Sequence, residues 1–294
     1  MQLQRPSLKR VLLLGGSGLL GSALAPNLRE AGIHVTAPRS KELDIRDIDE
    51  LRRRVHDDQP DLLINAAAQS SVDRAEADPD HAYQVNAVGA HNAALAALEA
   101  DLPLVHISTD YVFDGNRRTP YREFHATGEP ANEYGRSKLQ GELLVRNATP
   151  RHFIVRVAAL FGAGGRSDFV DWVLKTADPQ RPLTIVADRF VTPTWTMDLA
   201  WQLLVLIRTP YFGTYHATGH GAASWFELAR TAIVLSGKNA AAVVPVTDDQ
   251  LERKAPRPFF TVLDNHLLRL RGLDTMLPWR EALARRLSRP GTGG

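Results

Sequence analysis

The run from Val11 to Leu28 carries no charge over 18 residues and holds four glycines, Gly15, Gly16, Gly18 and Gly21. Its apolar stretch stops after Leu14 and resumes at Leu19. A buried strand, a tight turn and a helix account for that rhythm. In the spacing Gly15-x-x-Gly18-x-x-Gly21 the first glycine permits the turn, the second lets the backbone approach a pyrophosphate, and the third lets the helix pack on the strand. The start of the helix then offers unpaired N–H groups and a positive dipole end to a phosphate. Two other readings compete. Arg5, Lys9 and Arg10 before the run and Ala23-Leu24-Ala25 near its end outline a secretory signal peptide, and the length approaches a membrane span. The glycine interruption disfavours both. No other stretch is fit to span a bilayer, so no membrane association is expected and the expected location is cytoplasmic.

Composition narrows the chemistry. The 294 residues suffice for about two domains with a core that needs no metal or disulfide. With no cysteine, a disulfide scaffold, thiolate-bound zinc, iron–sulfur clusters and a cysteine nucleophile are excluded. The 35 basic residues stand against 33 acidic ones without a long basic run. The isoelectric point near 9.0 is therefore no argument for nucleic acid, and none is expected as a partner. The ten histidines show no metal-ligand spacing, so no metal is expected.

The first half alternates strand and helix: strands at 9–14, 33–37, 61–65, 102–108 and 153–158, helices at 19–31, 49–56, 79–100 and 132–146. That alternation predicts an α/β fold, a doubly wound parallel Rossmann sheet with right-handed crossovers. The second half is less regular, with helices at 169–177, 196–207, 224–235 and 281–287 and strands at 183–186 and 214–217. The expected organisation is a dinucleotide-binding domain over 1–158, rejoined by about 190–217, and a smaller C-terminal α+β substrate domain from 159–189 and 218–287. The Pro- and Gly-containing tail 288–294 is expected to be disordered. Core packing is the expectation for most of Trp172, Trp195, Trp201, Trp225 and Trp279, with Trp195 as a candidate near a ligand.

The glycine spacing resembles the fingerprint of the short-chain dehydrogenase/reductase superfamily. Gly15, Ser17, Gly18, Leu19 and Leu20 then cradle the cofactor. After the second strand an acidic residue would favour NAD; Arg39, Ser40 and Lys41 stand there and suit a 2′-phosphate, so NADP(H) is preferred and NAD(H) remains possible. Asp44 matches the superfamily's adenine-contacting position, with Ile45 next to it in the cofactor site, and Ala66, Ala67 and Ala68 close the third strand where small residues let a cofactor lie flat. Tyr134 and Lys138 form a Tyr-x-x-x-Lys, which on a helix puts both side chains on one face. A phenol near pKa 10 is a poor acid at neutrality, and a nearby ammonium is expected to lower it. The pair can then exchange a proton with a carbonyl or alcohol oxygen. Thr109, at the end of the fourth strand, is expected to bond the substrate oxygen, with Ser108 in reserve and near the cofactor.

Longer blocks narrow the resemblance. Ser108-Thr-Asp-Tyr-Val-Phe-Asp-Gly115, Pro130-Ala-Asn-Glu-Tyr-Gly-Arg-Ser-Lys138, Val72-Asp-Arg-Ala-Glu76, Val85-Asn-Ala87 and Asp188-Arg-Phe-Val-Thr-Pro-Thr194 are similar to the dTDP-4-dehydrorhamnose reductase family, roughly over residues 8–287. The resemblance implies reduction of the 4-keto group of a dTDP-4-keto-6-deoxyhexose, as in dTDP-L-rhamnose synthesis. Thr109, Tyr134 and Lys138 would be catalytic, with Tyr134 and Lys138 also in the cofactor site, where Lys138 would hold the nicotinamide ribose. Asn86, Asp110, Tyr111, Ala159, Phe169, Arg189, Pro193 and Arg257 would line the sugar-nucleotide site. Ala159 stands where the family usually carries a tryptophan, which leaves the sugar open. Ser22 occupies the position of a metal-binding glutamate of some members, so a monomer or a homodimer without a bridging metal is expected. Two alternatives remain: a non-catalytic cofactor-binding subunit resembling the beta subunit of methionine adenosyltransferase, and a reductase or epimerase of another nucleotide sugar.

Overall fold

The computed structural model describes residues 8–162 and 168–288. Five parallel strands come from the first half: β1 (Arg10–Leu14), β2 (His34–Thr36), β3 (Leu62–Asn65), β4 (Leu104–Thr109) and β5 (His152–Val157). A sixth, Gly213–His216, pairs in parallel with β5 and completes the order Gly213–His216, β5, β4, β3, β1, β2. Side chains alternate across a strand, and here both faces are covered. Val11 and Leu13 enter one apolar cluster with helix α1 (Leu19–Glu30) and the helix Thr196–Leu206. Leu12 and Leu14 enter another with α2 (Ile48–Asp58), α5 (Gly89–Glu99) and α6 (Glu133–Ala148). That double burial is why β1 and β3 read as unbroken apolar runs rather than alternating ones.

The chain leaves β1 for β2 on one side and returns to β3 on the other. Open parallel sheets bind ligands at the carboxyl ends of the strands beside such a reversal.

The expected helix 79–100 is not one helix. Asp78 caps α4 (Pro79–Tyr83) through its carboxylate and the His81 N–H, α3 (Val72–Ala77) precedes it, and a π turn, Gln84–Val88, separates it from α5. Beyond β5, the strand Leu183–Val186 pairs with Val243–Val246, and the helices Phe169–Thr176 and Trp225–Leu235 pack over that pair through Val173, Ile185, Ala229, Ile233 and Val243. The last helix is Trp279–Ser288. Ser288 is therefore helical rather than part of a disordered tail, and residues 289–294 lie outside the described residues. Among the described residues no helix is long and apolar enough to cross a membrane.

Candidate active site

The turn after β1 requires glycine at particular positions. Gly15 sits at φ +79°, and a Cβ there would lie 2.5 Å from the Ala67 nitrogen and 2.6 Å from the Ala66 carbonyl carbon. A Cβ on Gly21 would lie 2.3 Å from the Gly15 carbonyl oxygen. The loop after β3 thus closes on the turn backbone to backbone. Helix α1 begins at Gly18 with no side-chain cap and no acidic residue in its first turn. Its first N–H groups have no intrahelical acceptor, and the dipole adds positive potential. This donor set fits a dinucleotide pyrophosphate. Ser17 is exposed and Leu19 half-buried, whereas the Leu20 side chain is in the core and only its backbone can contribute. Arg39 and Ser40 are exposed after β2, and Ala68 is exposed beside the half-buried Ala66 and Ala67. Asp44 is held below the ordinary carboxylate value by its hydrogen bond from Arg46, its partner in a bidentate pair. The Ile45 side chain packs in the notch left by Gly89.

At the carboxyl end of β4, Thr109 Oγ1 donates to Asp110 Oδ1 (3.0 Å) and accepts from the Tyr111 N–H (3.2 Å), with its hydroxyl beside the Tyr134 phenol. Asn132 caps α6 by accepting from the Gly135 N–H at 2.9 Å, which sets Tyr134 in the first turn and Lys138 one turn on. The Tyr111 and Tyr134 rings meet edge to face at 5.8 Å. Lys138 Nζ is buried and donates to the Ile107 carbonyl at 2.6 Å.

The expected low-pKa phenol is not what the geometry supports. Burial pushes Tyr134 up to about 12, with the Thr109 hydrogen bond opposing. Burial also brings Lys138 down to about 8, with Glu142 opposing. Desolvation, which penalises the phenolate and the ammonium alike, is the largest cause for both groups. Asp110 is buried and pushed up to about 6, and its Oδ2 has no partner among the described residues.

Three more expectations change. Ser108 Oγ donates to Glu142 Oε1 at 2.6 Å, inside the protein, so it neither substitutes for Thr109 nor offers its hydroxyl to a cofactor. Asn86, aimed by the π turn, uses its whole amide internally. It donates to the Gln69 carbonyl (3.1 Å) and Ser137 Oγ (3.0 Å) and accepts from the Gln69 N–H (2.9 Å), so both of its N–H donors are committed inside the protein. Pro193 is buried, with its carbonyl against Gly219.

A cavity of about 380 Å³ opens beyond Tyr111. Phe169, Arg189 and Arg257 line it as expected, and Trp172, Trp225 and Arg253 join them. Ala159 is not among the lining residues; it follows β5 with φ +40°, a left-handed angle uncommon for a residue with a Cβ. Arg189 pairs with Asp248 at 2.8 Å and Arg257 with Asp73 at 3.0 Å. Trp195 and Trp279 are core residues, Trp201 is half-exposed, and Trp172 and Trp225 rim the cavity, against the expectation of core packing for most. The spacing of Phe169 and Trp172 on one helix face was the available signal for that wall.

A glycine turn of this build, with a Tyr–Lys pair at the carboxyl edge of the same sheet, places the chain among dinucleotide-dependent oxidoreductases of the short-chain dehydrogenase/reductase type. Residues 9–290 match the family of the RmlD substrate binding domain. The chain is 40% identical over 277 residues to a dTDP-4-dehydrorhamnose reductase of Mycolicibacterium smegmatis, covering 94% of this chain and 84% of that protein. It is 39% identical over 274 residues to a spore coat polysaccharide biosynthesis protein of Bacillus subtilis, covering 93% and 95%. A crystal structure of dTDP-4-dehydrorhamnose reductase from Bacillus anthracis in complex with NADP superposes with a TM-score of 0.90 at 35% identity, over 95% of this chain and 99% of that one. The chain belongs to the dTDP-4-dehydrorhamnose reductase family.

Proposed function

We propose that this chain reduces the 4-keto group of a dTDP-4-keto-6-deoxyhexose, with NADPH preferred and NADH as second choice. The observation that carries the reading is the Thr109 hydroxyl beside the Tyr134 phenol, with Lys138 one turn on and a glycine cradle that fits a dinucleotide. Gly15, Gly18 and the first N–H groups of α1 hold the pyrophosphate, and Arg39 and Ser40 the 2′-phosphate. When bound, the nicotinamide supplies the hydride. Thr109 orients the carbonyl oxygen, and Tyr134 Oη gives its proton to the oxygen as negative charge develops there. A phenol held near 12 is fully protonated at neutral pH, which suits a proton donor in the reductive direction. Lys138 carries the positive charge that stabilises the phenolate once the proton has left.

Residues 1–158 with about 190–217 form the cofactor part in this reading, and 159–189 with 218–287 the sugar-nucleotide part. The cavity supports the second: Phe169, Trp172 and Trp225 offer flat apolar faces to a base, and Arg189, Arg253 and Arg257 offer charge to a pyrophosphate. We place the protein in the cytoplasm, as a monomer or a homodimer without a bridging metal. Ser22, a neutral hydroxyl that donates to the Leu19 carbonyl of its own helix, supports the absence of that metal.

The test is NADPH oxidation with dTDP-4-dehydrorhamnose as substrate. Turnover that vanishes in Tyr134→Phe supports the reading. Tight NADPH binding without turnover on dTDP-, UDP- or GDP-linked keto sugars, together with co-purification with another enzyme, refutes it in favour of a regulatory subunit.

A further inference from the structure

The strand β4 brings a second buried group to Lys138. His106 Nε2 lies 3.4 Å from Lys138 Nζ, and His106 Nδ1 lies 3.3 Å from Asn65 Nδ2. The ring is wholly buried. Which nitrogen carries its proton follows from the far end of this chain of contacts. Asn65 Oδ1 accepts from the Ala67 N–H at 3.1 Å, so the amide oxygen faces the loop and the NH2 faces the ring. An amide NH2 only donates. Nδ1 is therefore the bare nitrogen, and the neutral imidazole carries its proton on Nε2, pointing at Lys138 Nζ. An ammonium has no lone pair with which to accept that proton, whereas an amine has one. Nζ already donates to the Ile107 carbonyl. The Nε2–H is satisfied only when the lysine gives up a proton.

The other titratable groups around Lys138 are few. Glu142, one turn on, favours the ammonium, yet its oxygens are shared among Ser108, Arg156 and Arg146. Tyr134 is one turn back and Asp110 beyond it, on the Thr109 side. His152 on β5 acts on His106 and opposes its charging, as do burial and Lys138 itself.

We propose that His106 is a positioning residue for the reaction: locked by Asn65 as the Nε2–H tautomer, it makes Lys138 a ready proton donor that restores Tyr134 after each turnover. This rests on the reductase reading. In the step concerned, an Nζ–H bond of Lys138 breaks and the Tyr134 Oη–H bond re-forms. The amine left behind accepts from Nε2–H until solvent returns the proton. Asn65 also ties this setting to the loop that closes on the glycine turn, through Ala67.

The decisive variant is Asn65→Asp. Its carboxylate keeps an acceptor for the Ala67 N–H and puts an oxygen where the NH2 stood. The imidazole proton moves to Nδ1, and the bare Nε2 accepts from the ammonium. His106→Gln, whose amide oxygen can face Nζ, acts in the same direction. Nitrogen-15 NMR of the full chain without cofactor should show Nε2–H for His106 in the wild type and Nδ1–H in Asn65→Asp. The Lys138 titration should move up by about one pH unit in both variants. The alkaline limb of the kcat profile, with NADPH and the keto-sugar nucleotide, should move by the same amount. An Nδ1–H tautomer in the wild type overturns the proposal. So does a Lys138 titration that stays in place in both variants while their melting temperatures remain near wild type. Should the wild type reduce no keto-sugar nucleotide, the reductase reading and the catalytic part of this proposal fall together, and the NMR titration still decides whether His106 governs the lysine.

Discussion

Replacing Glu142 by glutamine keeps the shape of the side chain and removes one charge. The native carboxylate is wholly buried. Oε1 accepts from Ser108 Oγ at 2.6 Å and Arg156 Nε at 2.8 Å, and Oε2 accepts from Arg156 Nη2 and Arg146 Nη2, each at 2.7 Å. Arg146 is 35% exposed and can turn to solvent, so its pairing is worth little. Arg156 cannot turn away: it is 2% exposed and its guanidinium lies 4.9 Å from the centre of the Phe113 ring. In the variant one NH2 group must oppose a guanidinium N–H, and the Arg156 charge is left without its counter-ion. Breaking a buried pair from one side costs about 3–5 kcal/mol. At about 2 °C per kcal/mol for a chain of this size, the midpoint of thermal unfolding should fall by roughly 6–10 °C. Calorimetry and urea unfolding measure both quantities. The pH dependence gives a second check. Burial alone would raise the Glu142 carboxyl; the charge and hydrogen bonds of Arg156, with Ser108 and Arg146, reverse that and hold it below 4.5. A folded-state value below the unfolded one means stability that is complete above pH 4.5 and lost as pH falls through the folded value. The gap between wild type and variant should stay constant through neutrality and close in acid. A loss under about 1 kcal/mol at pH 7, or a gap that does not close in acid, would refute this account of the pair.

Other substitutions test the site itself. Tyr134→Phe should lower kcat by about 10²–10⁴ in the NADPH-oxidation assay and leave cofactor binding by calorimetry near wild type. Gly15→Ala should abolish cofactor binding and lower the melting temperature, because the new Cβ meets the Ala67 backbone at 2.5 Å and the φ of +79° favours glycine. Arg39→Ala should weaken NADPH about tenfold or more and leave NADH affinity unchanged, a comparison that isolates the 2′-phosphate. Asn86→Ala should cost about 1–3 kcal/mol of stability through its unmet partners, Gln69 and Ser137, without altering the preference among sugar nucleotides in kcat/KM.

The sheet was legible because burial on both faces turns each strand into a short apolar run, and the turn because only glycine can occupy Gly15. Thr109, Tyr134 and Lys138 were legible as a strand end and a helical pair one turn apart. What depends on tertiary contact was not. Gln84–Val88 has no composition that separates a π turn from the α-helix around it, so the aim of Asn86 into Gln69 and Ser137 was hidden. The phenol and ammonium looked as if they would lower one another's cost of charging; burial depth, which spacing does not carry, reversed the direction for Tyr134. Trp172 and Trp225 sit on amphipathic helices whose apolar faces are usually core, and here those faces also wall a cavity. Ser108 was one residue from the right side of β4: His106 and Ser108 turn to α6, where they meet Lys138 and Glu142.

The strand Gly213–His216 has a consequence for how the chain is made. It pairs with β5, register Gly213 to Phe153, and supplies an edge of the sheet from far along the sequence. During synthesis β5 emerges long before its partner, with a row of unpaired N–H and C=O groups on its open side. Phe153 and Val155, which end in the same cluster as Leu203 and Tyr215, lack that cover until the later segment arrives. Such non-local closure is slow, and an exposed strand edge invites pairing with another nascent chain. Truncations that end between β5 and Gly213 should therefore accumulate as aggregates, and chaperone dependence should end only once residue 216 has cleared the ribosome.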